Sequence, residues 1–137
     1  MTHPEAFLRQ ILQQALDAIS DNRYGHIYRR DFTTGRKIIY HLDRDLEKLN
    51  ACCRDFPVTK EQTYWEIIIE CLEAANEDPL GTYKRPQDPI CSHIEARGSE
   101  MYAFEVQLED FTRPIYTKFC LLEQKDGKLY VSIDCHT

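Results

Sequence analysis

Nowhere does the sequence approach the roughly 20 consecutive apolar residues that a bilayer-spanning helix needs. Its opening, "MTHPEAFLRQ", has no basic segment leading into an apolar one. The expectation is a cytoplasmic chain with no membrane partner. No C-x-x-C pair occurs, and the six cysteines (Cys52, Cys53, Cys71, Cys91, Cys120, Cys135) fall largely within periodic apolar segments. That argues against a disulfide framework and for cysteines acting as small apolar residues. Positive charge is also short: the formal net charge is −6, which disfavours a broad grip on nucleic-acid phosphates without excluding a local basic cleft. Internal repeats and low-complexity tracts are absent.

What is present suits one domain spanning residues 1–137. With 42% hydrophobic residues the chain can bury a single core. Thr2 and Glu5 fit a capping box, and Phe7, Leu8, Ile11, Leu12, Ala15, Leu16 and Ile19 recur at helical spacing. Asn22 and Gly25 suit the exit from that helix. "HIYRRDFTTGRKIIYH" reads as a hairpin, or as one strand and a loop, and concentrates Arg29, Arg30, Arg36 and Lys37. Asp43 is placed to cap a short helix carrying Leu46, Leu49 and Cys53, which Phe56-Pro57 ends. Thr59 and Gln62 open a third helix through "IIIECL", expected to be the best buried of the three. Across "EQTYWEIIIECLEAANED" there are five Glu and one Asp with no Lys or Arg, a solvated acidic face. "NEDPLGTYKRPQDP" reads as a long loop.

The period then changes from helical to alternating. Tyr102, Phe104, Val106 and Leu108 form one face of a strand; Ile115, Phe119 and Leu121 a second; and Leu129, Val131, Ile133 and Cys135 a third, after a "KDGK" turn. "CSHIEARG" is a candidate additional strand. Helices early and strands late predict an α+β fold, with N-terminal helices packed on a C-terminal antiparallel sheet. A final strand at an edge would offer pairing to a second chain.

The same alternation isolates a candidate site. Lys118 lies on the side opposite Phe119 and Leu121, and His136 on the side opposite Ile133 and Cys135, so both leave the apolar face, together with Tyr116, Tyr130 and Ser132. Lysine, histidine and tyrosine on one face can orient a phosphodiester and move a proton. Arg113 before the central strand, Arg85 in the proline-rich loop and Arg97 at a turn are candidate phosphate contacts, because guanidinium pairs bidentately with phosphate oxygens. Cys135 and His136 are adjacent strand residues and point to opposite faces, so a zinc site there is disfavoured; Cys91-x-His93 is too sparse for one. No metal or cofactor is expected.

The order of these signals resembles the RelE/MqsR-like superfamily of type II toxins, small mRNA-cleaving ribonucleases partnered by an antitoxin. The resemblance runs from about residue 15 to residue 136: a helix, the basic strand "HIYRRDF", the helix "VTKEQTYWEIIIECL", a loop with "TYKRPQD", and the strands "YAFEV", "YTKFCL" and "VSIDCH". Family members often close on Ile-Ser-Phe-His, where this chain has Ile133, Asp134, Cys135 and His136. The resemblance implies a RelE-like fold, an RNA substrate, an antitoxin partner, Lys118 as phosphate binder and His136 as general acid or base, and with an RNA substrate Tyr116 or Tyr83 would orient the 2′-hydroxyl or stack a base. These toxins are usually basic, and this chain is acidic. Two other readings fit the same elements: a non-catalytic interaction or immunity protein, and a cone-shaped module like nuclear transport factor 2, with Trp65, Tyr102 and Phe104 lining a small-molecule pocket.

Overall fold

The structure is a computed structural model. It describes residues 3–21, 23–25, 28–30, 37–39, 42–54, 61–86, 89–90, 98–123 and 127–137. The elements run α1 (Glu5–Ser20), β1 (Tyr24–Gly25), β2 (Tyr28–Arg30), β3 (Lys37–Ile39), α2 (Leu42–Cys52), α3 (Glu61–Glu77), α4 (Pro79–Thr82), β4 (Tyr83–Lys84), β5 (Tyr102–Val106), β6 (Ile115–Glu123) and β7 (Leu129–His136). The fold is α+β, with the early helices packed on a sheet built mostly from the late strands. No helix among the described residues is long and apolar enough to cross a membrane.

The main sheet has the order β1-β7-β6-β5-β4. β4 to β7 are antiparallel throughout, and β1 joins the far edge parallel to β7, pairing Tyr24 with Val131 and Gly25 with Ser132. β7 is therefore interior along that stretch, where its free side is taken by β1 and not by a second chain. Arg23 makes the connection: its carbonyl accepts from Val131 N at 3.0 Å, and its guanidinium donates to the Leu129 carbonyl. β2 and β3 form a separate hairpin, with Arg29 opposite Ile38 and Arg30 opposite Lys37. The proposed strand at "CSHIEARG" falls almost wholly outside the described residues. The neighbour of β5 is instead β4, which lies with α4 inside the stretch predicted as loop.

The core lies between the helices and one sheet face. Leu8, Ile11, Leu12, Ala15, Ala18 and Ile19 of α1 are buried, as are Tyr64, Trp65, Ile67, Ile68, Cys71, Leu72 and Ala75 of α3. They meet Phe104, Val106, Ile115, Phe119, Val131, Ile133 and Cys135 from the strands. Helical spacing on one side and period-2 spacing on the other supply matching apolar surfaces, and their burial is the main stabilising term. α1 begins at Pro4 with no side-chain cap, while Glu5 pairs with Arg9 at 2.9 Å; Thr2 lies outside the described residues. At its other end, Arg23 N donates to Ala18 O at 2.7 Å, a six-residue closure that satisfies a terminal carbonyl.

α2 covers the end of β7 that β1 does not reach. Thr137 Oγ1 donates to Lys48 O at 3.4 Å, and Thr112 N donates to Cys52 O at 2.8 Å. Asp43 lies inside this helix and is not its cap, because the helix starts one residue earlier.

Candidate functional site

Strand register places the candidate residues directly. Residues opposite one another in an antiparallel pair share a face. Tyr116 pairs with His136 on β7 and with Glu105 on β5, giving a rung Glu105–Tyr116–His136 on the face away from the helices. The neighbouring rung on that face is Lys84–Ala103–Lys118–Asp134. Lys118 and His136 are thus diagonal neighbours, about 7–8 Å apart at Cα. The rings of Tyr116 and His136 lie 5.7 Å apart, tilted by 37°. Both are half-buried, as is Lys118, while Glu105 is exposed.

His136 Nδ1 is 3.3 Å from the Thr137 carbonyl oxygen. A carbonyl can only accept, so a hydrogen bond in this contact has Nδ1 as its donor. The backbone beneath is held from the core side: Cys135 N donates to the Tyr64 hydroxyl at 2.7 Å, which donates to Asp45 Oδ2 at 2.9 Å. Both Tyr64 and Asp45 are fully buried. The polar rungs thus lie over a fixed strand.

Further along the same face the character changes. Met101 and Cys120 are buried and pack with Leu122 as a second, smaller apolar cluster. The outer face is therefore polar at the His136 end and apolar at the other. Cys135 lies on the opposite, helix-facing side from His136. Among the described residues no group of three or more His, Cys, Asp or Glu is placed to hold a metal ion.

The remaining candidates divide. Arg113 is exposed and sits two residues before β6, at the same end of the sheet as Tyr116 and His136. Arg85 follows β4, at the other edge. That edge is three inter-strand steps from β7, about 14 Å, so Arg85 is not brought together with His136. Tyr83 pairs with Phe104 and so belongs to the helix-facing side, where its ring meets Phe104 at 5.5 Å and His3 at 5.8 Å. It does not share a face with Lys118. Arg97 lies outside the described residues.

The helix-facing side holds its own polar cluster. His3 Nε2 is 2.6 Å from Glu100 Oε2, and the His3 ring packs on Phe7 at 4.7 Å and Tyr102 at 5.9 Å. Burial, then the Glu100 carboxylate, pushes the Tyr102 phenol up to about 12. The Tyr83 phenol is raised for the same two reasons, partly offset by Arg85. Trp65 and Phe104 are packed in the core. A groove between α1 and α3 is lined by neither of them nor by Tyr102.

No protein-family model matches the chain, and no curated protein or solved structure is significantly similar to it. The site must be read from its own geometry. That geometry adds two residues to the sequence-based set: Glu105, which joins the Tyr116 rung, and Lys84, which joins the Lys118 rung. The alternation in "YAFEV" already put Glu105 on the outer side; pairing it with Tyr116 needed the register. Lys84 gave no signal, because its strand is two residues long within a proline-rich stretch.

Proposed function

We propose that the outer sheet face binds RNA and cleaves its phosphodiester bonds, or derives from a domain that did, as a RelE/MqsR-like toxin partnered by an antitoxin. The observation that carries this reading is the juxtaposition of Tyr116, His136 and Lys118 on one accessible face. Lys118 and Arg113 would hold the phosphate and offset charge developing on its oxygens. A carboxylate and an imidazole flanking Tyr116 would divide the proton transfers. Glu105 takes the 2′-hydroxyl proton as that oxygen attacks phosphorus, and His136 gives a proton to the departing 5′-oxygen, leaving a 2′,3′-cyclic phosphate. Tyr116 would orient the 2′-hydroxyl.

The purified protein should then shorten RNA. His136→Ala should slow cleavage about 10²–10⁴-fold, the range for loss of a proton-transfer group, and Lys118→Ala should lower it substantially with the fold intact. Equal cleavage by wild type and both variants, followed on labelled RNA, would dismiss the assignment.

A specific observation favours a second reading. Asp134 is the register partner of Lys118, and the chain carries a net −6, both of which work against polyanion binding. A non-catalytic interaction or immunity protein accommodates them. Expression in bacteria without a partner separates the two, since growth arrest follows only from the toxin reading.

A further inference from the structure

The solvent side of the helix layer carries a groove of about 460 Å³ between α1 and α3. Its apolar part is Leu16 and Ile19 from α1 and Ile69 from α3, and its polar wall on α3 is Glu73, Asn76 and Glu77. Glu73 and Glu77 continue a stripe begun by Glu66 and Glu70, all exposed, at the four-three-four spacing that keeps residues on one helix face. Carboxylates dominate the pair of helices, with two on α1 and five on α3. The one cation, Arg9, is already engaged by Glu5 at 2.9 Å and by the Asn76 carbonyl. Opposite, Gln13 Nε2 donates to Asp17 Oδ1 at 2.9 Å, so the amide donor on that wall is already engaged.

The Asn76 side-chain oxygen is buried, and among the described residues it accepts no hydrogen bond.

We infer that this groove docks a basic amphipathic helix of a partner protein. Its aliphatic residues lie on Leu16, Ile19 and Ile69, and its Lys or Arg residues face Glu73 and Glu77. The mode is helix-in-groove, with charge setting orientation and on-rate. It uses the face of the molecule opposite the sheet site and stands whether or not that site cleaves RNA.

Two synthetic helical peptides with the same aliphatic face test it, one flanked by Lys and Arg and one by Glu. Wild-type protein should bind the basic peptide, with affinity falling as salt rises, and NMR should show the Ile19 and Ile69 methyls shifting. The Glu73→Lys/Glu77→Lys variant changes only exposed positions, and circular dichroism checks its fold. It should bind the basic peptide at least about tenfold more weakly and gain affinity for the acidic one. Equal binding of both peptides by wild type, no binding of either at millimolar concentration, or affinity unchanged in the variant would overturn the inference. So would self-association in sedimentation that the variant abolishes, which would give the groove to a second copy of the chain.

Discussion

Tyr64 joins the core to the strand that carries His136. Its hydroxyl accepts from the Cys135 amide and donates to Asp45, two groups that lie out of reach of bulk water. Tyr64→Phe keeps the ring and removes both bonds, so it should lower stability by about 1–3 kcal/mol, the cost of depriving buried polar groups of a partner. Chemical denaturation of the two proteins measures this directly. A loss below about 0.5 kcal/mol, less than a typical net hydrogen bond contributes, would mean that the contact is incidental. Asp45 is not among the residues singled out from the sequence. Most of its near neighbours in sequence are charged, and although its spacing to Leu49 and Cys52 puts it on the buried face of α2, only the packing of α2 against β7 brings it beneath Tyr64.

At the scale of elements, α4 shows how a short helix can be dictated by one side chain. Asp78 accepts from Gly81 N at 3.2 Å, and Pro79 fills the first helical position, where its missing N–H costs nothing. A Cβ on Gly81 would fall 2.1 Å from Asp78 Oδ2, so the carboxylate would have to leave its cap. Gly81→Ala should therefore cost about 0.5–2 kcal/mol, the value of an N-cap. In an Asp78→Ala background, where there is no cap to lose, the same change should be neutral or mildly stabilising, since alanine favours helix over glycine. Thermal unfolding of the four proteins closes the cycle, and additive effects would contradict the steric account. The longer elements were legible because their periods extend over many residues: α1 and α3 by helical spacing, β5 to β7 by alternation. α4, β4 and β1 were not, since two to four residues cannot establish a period. Parity also put Tyr116, Lys118 and His136 on one face, but it does not extend past Pro114 to Arg113, nor to Tyr83 in a strand read as loop.

For the molecule as a whole, the buried acids set its response to base. Burial pushes the Cys71 thiol from its ordinary 9.0 up to about 12, with the Thr117 hydroxyl offsetting part of the rise and Glu70 adding to it. The Tyr102 phenol is likewise raised from 10.0 to about 12. Both groups are neutral when protonated, and both hold their protons to higher pH in the folded chain than in the unfolded one. Their contribution to stability is thus complete below about pH 9 and is lost as the pH rises from 9 towards 12. Denaturation midpoints should stay flat through neutrality and fall steadily above pH 9. Cys71→Ala should make that alkaline decline shallower, whatever it does to the neutral value. An identical slope in the variant would show that the thiol is not the titrating group.

The pairing of β1 with β7 also governs how the chain is made. The strand immediately after α1 cannot find its partner until residues near 131 have left the ribosome, more than a hundred positions later. Until then α1 and α3 present their Leu and Ile faces without the last sheet strands to cover them, a state prone to misassembly. Closure of the sheet at β1 therefore follows the emergence of every other described element, and nascent chains that have not yet released Val131 are the ones that would call on chaperones.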